Sequence, residues 1–388
     1  MTLAAPGPRT APATARVADC IRAAAERGEP LRIVGAGSWL DAGWPVAEAT
    51  PLSLADMTGI VEYTPGDLTL TARAGTSLEE ISRVTAAERQ WLALDPFGSP
   101  ASTLGATIAT ASAGPLAHAF GTPRDNVLGL ETVTGDGQVV RTGGRVVKNV
   151  AGFDLTRLFT GSWGTLAVIT EATVRLRALP ELEESWALGV SEDAAALDAL
   201  LRRLRFAPLE PLALELVSPS LAARLRIDSG ELGALLIRLG GNEGSVRSQR
   251  DFLRTLSEPT TPPDGVWRTL RQCESGRAAV ARFSAPVSRM ALTWAAARAA
   301  TGDSAAFVHA TIGRGIARCI IPAADEAAVD RLLDAAARFD GTVIFERLPE
   351  IAWVRTAQRS GSDRLSRGIK QRFDPMNVLN PGILGEHQ

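Results

Sequence analysis

The stretch from Asp95 to Arg177 constrains the fold most, because small residues recur in it at the turns where a backbone can approach a ligand closely. It contains Ser102–Thr107 (STLGAT), the turn Ala113–Pro115 and Gly121. Backbone amides in glycine turns donate hydrogen bonds to phosphate without a side chain in the way, and Ser and Thr hydroxyls add further donors. Each segment alone is ordinary turn chemistry. Together they predict a phosphate-bearing cofactor.

An earlier glycine turn narrows the choice of cofactor. A helix predicted at Val17–Arg27 and a strand at Leu31–Val34 lead into the turn Gly35–Ser38. A Rossmann dinucleotide fingerprint needs a third glycine before a helix and an acidic residue at a set distance after a strand. The sequence has neither feature at this turn, so a nicotinamide cofactor is disfavoured.

Composition excludes several classes of protein. The 388 residues are 45% hydrophobic, enough to bury a large core in two units. The 41 basic and 43 acidic residues nearly balance, which predicts no nucleic-acid partner. Cys20, Cys273 and Cys319 lack CxxC or CxxH spacing, so we expect no disulfide framework and no metal site. Without a leader at Met1–Arg16 or a long apolar run, we expect a cytoplasmic protein.

Predicted elements divide the chain into two units and a tail. The first unit has predicted strands at Leu68–Ala72, Leu128–Thr134, Gln138–Thr142 and Leu166–Leu176, and a helix from Thr76. The second has predicted strands at Pro211–Val217, Leu232–Leu239, Ala306–Ile312 and Gly315–Pro322, and helices at Gly244–Leu256 and Glu326–Phe339. A helix-covered antiparallel sheet is the simplest assembly for the second unit. The acidic stretch Ala178–Glu184 is typical of an exposed linker, and the fold class is α+β.

The small-residue motifs follow a fixed order along the chain. They are Gly35–Ser38 (GAGS), Ala74–Leu78 (AGTSL), Thr103–Ala106 (TLGA), Gly121–Leu130 (GTPRDNVLGL), Lys148–Leu155 (KNVAGFDL) and Gly161–Leu166 (GSWGTL). In this order they resemble the vanillyl-alcohol-oxidase superfamily of flavoproteins. Within it, Arg141–Gly144 followed by Val147–Asp154 resembles the E-type FAD-binding subunits of glycolate oxidase. The resemblance implies a PCMH-type FAD-binding domain of two subdomains at residues 1–178, a cap domain at 179–345 and a tail at 346–388 that returns to the flavin domain.

The resemblance also implies the residues that hold FAD. It places the diphosphate at Gly35, Ala36, Gly37, Ser38 and Trp39 and at Ser102, Thr103, Leu104, Gly105 and Ala106. It places the flavin edge at Gly114, the adenosine half at Gly161, Gly164, Val168 and Ile169, and Asn380 against the isoalloxazine. Superfamily members with covalent flavin carry a His or Cys near the first glycine turn. That turn reads Gly37-Ser38-Trp39 here, so we expect non-covalent FAD.

The cap motif departs from that of catalytic 2-hydroxyacid dehydrogenases in the superfamily. Their motif ends in Gly-x-Gly-Asn-x-His, whereas this chain reads His309 to Arg318, so that Arg318 replaces the closing histidine and His309 is shifted by about two residues. Oxidation of a 2-hydroxyacid requires a base for the hydroxyl proton and a cation for the carboxylate. Arg314 and Arg318 are candidates for the cation. Lys148, one of two lysines, and His309 are further catalytic candidates, but no base is convincing.

Three functions remain open at this point. The first is the FAD-binding subunit of a multi-subunit glycolate oxidase, which oxidises glycolate to glyoxylate beside a homologous catalytic flavin subunit and passes electrons to an iron–sulfur subunit. Any membrane association would then come through these partners. The second is a self-sufficient FAD-dependent dehydrogenase of 2-hydroxyacids such as D-lactate. The third is a flavoprotein fold that serves its partners only as a scaffold.

Overall fold

A computed structural model of the chain describes residues 12–46, 48–99, 101–144, 154–190, 194–274, 278–302, 305–356 and 364–385. The first unit contains a parallel pair of strands and a five-stranded antiparallel sheet in the order β3-β4-β8-β6-β7. Its strands are β1 (Leu31–Val34), β2 (Thr50–Ser53), β3 (Ile60–Thr64), β4 (Thr69–Arg73), β5 (Gln90–Trp91), β6 (Val127–Thr134), β7 (Val139–Gly143), β8 (Ala167–Arg175) and β9 (Arg177–Ala178). Its helices are α1 (Pro12–Arg27), α2 (Leu78–Ala86), α3 (Leu104–Thr110), α4 (Ala117–Phe120), α5 (Pro123–Asn126) and α6 (Leu155–Phe159).

Hydroxyl caps fix where α2 and α3 begin. The Ser77 side chain accepts a hydrogen bond from the Glu80 amide at the start of α2, and the Thr103 side chain accepts one from the Ala106 amide at the start of α3. Each cap satisfies an amide that the first helical turn would otherwise leave open. Both helices therefore begin at motifs that the sequence singled out, Ala74–Leu78 and Thr103–Ala106.

The second unit is a seven-stranded antiparallel sheet in the order β10-β12-β11-β14-β15-β13-β16. Its strands are β10 (Leu182–Val190), β11 (Ala213–Val217), β12 (Gly233–Gly241), β13 (Ala279–Ser284), β14 (Phe307–Thr311), β15 (Ile316–Ile321) and β16 (Thr342–Arg347). Its helices are α7 (Ala194–Arg205), α8 (Pro219–Leu225), α9 (Glu243–Arg254), α10 (Val266–Arg271), α11 (Met290–Thr301), α12 (Glu326–Arg338) and α13 (Glu350–Trp353). This is the helix-covered antiparallel sheet that the predicted strands and helices of the second unit led us to expect.

Alternation along the cap strands gives the sheet two different faces. In β13, Ala279, Ala281 and Phe283 join the large apolar core beneath the helices. Arg282 and Ser284 therefore lie on the opposite face, where they line cavities that residues of the first unit also line. The polar residues of β13 therefore lie on the side of the sheet that faces the glycine motifs.

The chain returns to the first unit after the cap. Following α14 (Arg364–Phe373), Leu379 bridges Leu31 of β1 in parallel, and the Leu31 amide donates to the Val378 carbonyl at 2.7 Å. Lys370 holds this segment together, because its Nζ donates to the carbonyls of Thr165 and Leu379 at 2.8 and 3.0 Å. The tail is therefore structurally part of the first unit.

Two features of the predicted domain limits differ in the structure. Leu182–Glu184 are the first residues of β10 and not a linker, because Glu183 pairs with Arg238 at 2.8 Å and Glu184 with Arg250 at 2.9 Å. The limit placed at residue 345 falls inside β16, and Trp353 still packs in the cap core. Ion pairing to remote arginines explains why the acidic stretch is a strand and not a linker. An acidic run resembles a solvent-exposed linker when its basic partners are distant in sequence.

Candidate functional site

The first glycine turn presents a row of open backbone donors. Strand β1 ends at Val34, and residues 35–39 then turn beside α3, with Gly37 at φ +78°. A Cβ on Gly35 would lie 2.7 Å from Thr103 Oγ1, so only glycine lets the turn approach the start of α3. Across the described residues, no acceptor receives a hydrogen bond from the amides of residues 35–39. Successive open amides of this kind form an anion-binding concavity.

A cavity opens in front of this turn and collects most of the residues predicted for FAD. The predicted residues that line it are Gly35, Ala36, Gly37, Ser38, Trp39, Thr103, Gly105, Ala106, Gly164, Ile169 and Asn380. The turn is held from both sides, because the Ser38 and Ser102 hydroxyls lie 3.5 Å apart and Arg347 Nη2 donates to the Ser38 carbonyl at 3.2 Å. The cavity also reaches Arg32, which no sequence motif indicated.

Three of the predicted FAD residues, Leu104, Gly105 and Val168, serve packing in this structure. Leu104 and Val168 are wholly buried in the core of the first unit. The Gly105 amide donates to the Ala74 carbonyl at 2.8 Å, and a Cβ on Gly105 would lie 2.6 Å from Ala74 Cβ. The absence of a side chain at Gly105 therefore lets α3 pack against the chain that follows β4.

Two further glycines lie outside this cavity. Gly114 contacts the backbone of Asp95, where an added Cβ would lie 1.9 Å from the Asp95 carbonyl oxygen. Gly161 lines a neighbouring cavity between the two units together with Thr110 and Trp163. The glycines predicted for the adenosine half and the flavin edge therefore line adjoining cavities and not a single one.

Asn380 uses both ends of its amide within the protein. Its Oδ1 accepts the Ile33 amide at 2.9 Å, and its Nδ2 donates to the Trp163 carbonyl at 2.7 Å. Asn380 and Trp163 both have positive φ, at +42° and +56°. The side chain lines the cavity while it ties the tail to β1 and to the Gly161–Gly164 turn, so that its side-chain hydrogen-bonding groups are already occupied.

The cap presents three aligned polar side chains to a smaller cavity. His309 lies opposite Arg318, which in turn lies opposite Arg282, on the adjacent strands β14, β15 and β13. Directly opposed residues share a face, so these three form a row across the sheet. The same cavity is lined by Gly114 from the first unit and by Arg314. The structure thus brings together His309, Arg314 and Arg318, whereas Lys148 lies outside the described residues.

His309 is oriented by a carboxylate that no sequence motif indicated. His309 Nδ1 lies 2.9 Å from Glu215 Oε2, and the two side chains are 1% and 0% exposed. Its Nε2 is buried and has no partner among the described residues. In the tautomer in which Nδ1 donates to Glu215, Nε2 is the ring nitrogen that can accept a proton. The sequence feature that could have indicated Glu215 is that it is the one charged residue in the otherwise apolar strand Ala213–Val217 (ALELV).

Arg318 is neutralised by two buried glutamates. Its guanidinium donates from Nε to Glu274 at 3.1 Å and lies 2.7 Å from Glu346, with the Phe97 ring beneath it at 4.4 Å. Burial alone would lower the pKa of Arg318, but the two carboxylates raise it overall. Burial would likewise raise the pKa of Glu346, but Arg318 and the neighbouring arginines lower it overall. Arg318 is therefore committed to the protein and is poorly placed to bind a substrate carboxylate.

Arg314 and Arg282 are less committed cations at the same cavity. Arg314 Nη2 is 3.8 Å from the Asp125 carboxylate, and Arg282 Nη1 is 3.7 Å from Glu346. The Nε of Arg282 is buried and lacks a partner in the described part of the chain. Of the arginines around this cavity, these two retain donors for an anion.

Neither metal binding nor membrane crossing is indicated by the described residues. No group of three or more His, Cys, Asp and Glu side chains there could hold a metal ion. No described helix combines the length and the apolar character needed to cross a bilayer.

Fold and cofactor class follow from these features together. A glycine-lined anion cradle in a unit of two subdomains, covered by an antiparallel cap and completed by a returning tail, defines a PCMH-type FAD-binding fold. Residues 10–143 match the protein-family model described as FAD binding domain. The solved structure of p-cresol methylhydroxylase with substrate bound has a TM-score of 0.74 at 16% identity, covering 96% of this chain and 87% of that one. The α+β fold and the FAD cofactor predicted from the sequence are confirmed.

Relatives of this chain include named oxidase subunits. It is 37% identical over 226 residues to the glycolate oxidase subunit GlcE of Escherichia coli, which covers 58% of this chain and 59% of that protein. It is 27% identical over 403 residues to the glycolate oxidase subunit GlcD of Bacillus subtilis, covering 92% and 84%. The chain therefore spans less than two thirds of the length of the first of these relatives.

Proposed function

We propose that this chain is the FAD-binding subunit of a multi-subunit glycolate oxidase that converts glycolate to glyoxylate. The row of open amides at residues 35–39, facing the cavity that α3 also lines, carries the proposal. The likeness to the GlcE subunit supports the choice of complex. In this proposal electrons leave for an iron–sulfur partner subunit, beside a homologous catalytic flavin subunit.

The diphosphate of FAD is proposed to lie on Gly35–Trp39, opposite Thr103 and Ala106. The adenosine half then lies beside Gly164 and Ile169, and the flavin points toward Gly114 and the cap. Two predicted contributors have indirect roles in this arrangement: Asn380 fixes the shape of the cavity, and Val168 supports it from the core. Bound FAD would supply the hydride acceptor for the reaction.

A second candidate function, the self-sufficient 2-hydroxyacid dehydrogenase, is favoured by His309. Sequence alone offers no convincing base in the cap, but the fold gives His309 a carboxylate partner and a free Nε2 at the cavity that Gly114 lines. In this alternative, Nε2 takes the hydroxyl proton of the substrate, and Arg282 or Arg314 holds its carboxylate. A base of this kind contributes about 10² to 10⁴ in rate.

One purification series separates the candidates. The full chain is expressed alone and together with a catalytic flavin subunit and an iron–sulfur subunit, and each preparation is scanned for flavin absorbance and assayed for glycolate-dependent dye reduction. We expect a yellow protein in both cases and dye reduction only in the complex. Dye reduction by the chain alone at the rate of the complex would establish the self-sufficient dehydrogenase. A colourless chain when it is purified alone, together with dye reduction by the complex, would leave the scaffold function.

A further inference from the structure

Arg32 is a cation without an anionic partner beside the glycine turn. It lies on β1 and lines the same cavity as residues 35–39. Its Nη2 donates to the carbonyls of Trp39 and Leu40, at 3.2 and 3.4 Å. No carboxylate of the described residues lies within ion-pairing distance of it. The remaining guanidinium donors, out of the five N–H groups of an arginine, have no partner among the residues that the structure describes.

Arg347 also bonds the glycine turn, but unlike Arg32 it has carboxylate partners. Arg347 also donates to a carbonyl of the turn, that of Ser38, but its charge is balanced by Asp41 at 3.1 Å and Glu274 at 2.7 Å. Arg32 is partly withdrawn from solvent without such balance, and this burial lowers its pKa. A partly buried cation is costly unless it is paired.

We propose that Arg32 binds the diphosphate of FAD, as the counterion that complements the open amides of residues 35–39. This inference rests on the placement of the diphosphate proposed above. Arg32 has two effects: its Nη2 fixes the carbonyls at the end of the turn, and its free donors face the phosphate oxygens. Charge-assisted hydrogen bonds from a guanidinium to phosphate are about twice as strong as neutral ones.

Arg347 supports the same geometry from the other side. In a planar trans peptide the carbonyl and the amide hydrogen point in opposite directions. Because Arg347 holds the Ser38 carbonyl, the Trp39 amide is turned away from Arg347. Arg347 is thus a positioning residue, whereas Arg32 supplies net charge to the ligand.

The test compares ligands with and without phosphate on the full-length chain. Dissociation constants for FAD are measured by flavin fluorescence on protein freed of its flavin, and ADP and adenosine compete for the site. Arg32→Gln should weaken FAD and ADP by about tenfold to a hundredfold, since a charged hydrogen bond contributes about 1.5–3 kcal/mol and each tenfold is about 1.4 kcal/mol. Adenosine should compete equally well against both proteins, and Arg32→Lys should lie between them. Arg73→Gln is the matched control, because Arg73 also bonds a carbonyl in the same unit, that of Thr58.

Each outcome decides the question. Equal weakening of ADP and adenosine by Arg32→Gln would mean a purely structural role and would overturn the inference. Unchanged FAD and ADP binding in Arg32→Gln, with weakened binding in Gly37→Val, would refute Arg32 but keep the turn as the diphosphate site. Unchanged binding in both variants would refute the proposed placement itself. Should Arg32→Gln fail to fold, Arg32→Lys and a fall in ADP affinity of the wild-type chain with added salt still test the charge.

Discussion

Asp95 is buried behind Gly114, where its carboxylate accepts the Leu116 amide at 3.1 Å. Burial raises the pKa of Asp95 from 3.8 to about 7, against the opposing effects of Arg271 and Arg238. A carboxyl whose folded-state pKa is raised stabilises the fold below its unfolded pKa and loses that contribution as pH rises toward the folded value. The free energy of unfolding should therefore fall between about pH 4 and pH 7 through this group.

The Asp95→Asn variant tests this pH dependence. We expect the variant and the wild type to be similar near pH 4, and the variant to gain stability relative to the wild type up to about pH 7. A shift of about three pKa units corresponds to at most about 4 kcal/mol. Urea unfolding of both proteins at several pH values measures the difference. A constant difference across this range would show that Asp95 does not titrate there.

His309 provides a test of base chemistry at the level of one side chain. If Nε2 takes the substrate proton, His309→Gln should slow glycolate-dependent flavin reduction by about 10² to 10⁴ while FAD content stays unchanged. Anaerobic stopped-flow absorbance, on whichever preparation oxidises glycolate, gives the rate. His118→Gln is the control, because the His118 Nδ1 is also buried without a partner among the described residues but lines a different cavity. Equal rates for His309→Gln and wild type would exclude this base.

At the scale of elements, the contact between α3 and the chain after β4 depends on Gly105. An Ala at this position would place its Cβ 2.6 Å from Ala74 Cβ. We expect Gly105→Ala to cost about 1–3 kcal/mol, as overpacking of a tight contact does. The double variant Ala74→Gly with Gly105→Ala should recover part of this loss, since it removes the Cβ contact but not that with the Ala74 backbone. Thermal unfolding of the three proteins measures it. An unchanged melting temperature in the single variant would show that the backbone yields without cost.

Regular elements were predictable from the sequence wherever the pattern is local. The hairpin of β14 and β15 follows from alternation, and the start of α2 follows from the hydroxyl of Ser77 and the acidic residues after it. The turn at Gly35–Ser38 was also predictable, because glycines directly after a strand are typical of a tight turn.

Contacts set by strand order were not predictable. Glu215 meets His309 because β11 pairs with β14, a register that no local pattern encodes. Asp41 and Arg347 are 306 residues apart in the chain, and their ion pair depends on how the cap docks on the first unit. For the same reason the sequence suggested Arg318 as a free cation, since Glu274 and Glu346 come from remote segments.

At the scale of the whole molecule, the way FAD is held is a testable property. Covalent attachment needs a nucleophilic side chain at the flavin. Among the described residues, neither His nor Cys lines the cavity of the glycine turn, and His309, which lines the cap cavity, is engaged through Nδ1 by Glu215. We expect acid precipitation to release all the flavin into the supernatant. The flavin absorbance of supernatant and pellet measures the partition. A yellow pellet above a colourless supernatant would show that the attachment is covalent.

The returning tail has a consequence for how the protein is made. Leu379 and Asn380, which complete the edge of β1, are synthesised after the entire cap. Domains usually fold as units in the order in which they leave the ribosome. Here the first unit is completed only after the second has been synthesised, because the amides of Leu31 and Ile33 donate to residues of the tail. The cap can therefore fold before the tail is synthesised, whereas the cofactor site is completed, and ready to receive FAD, only after the tail has left the ribosome.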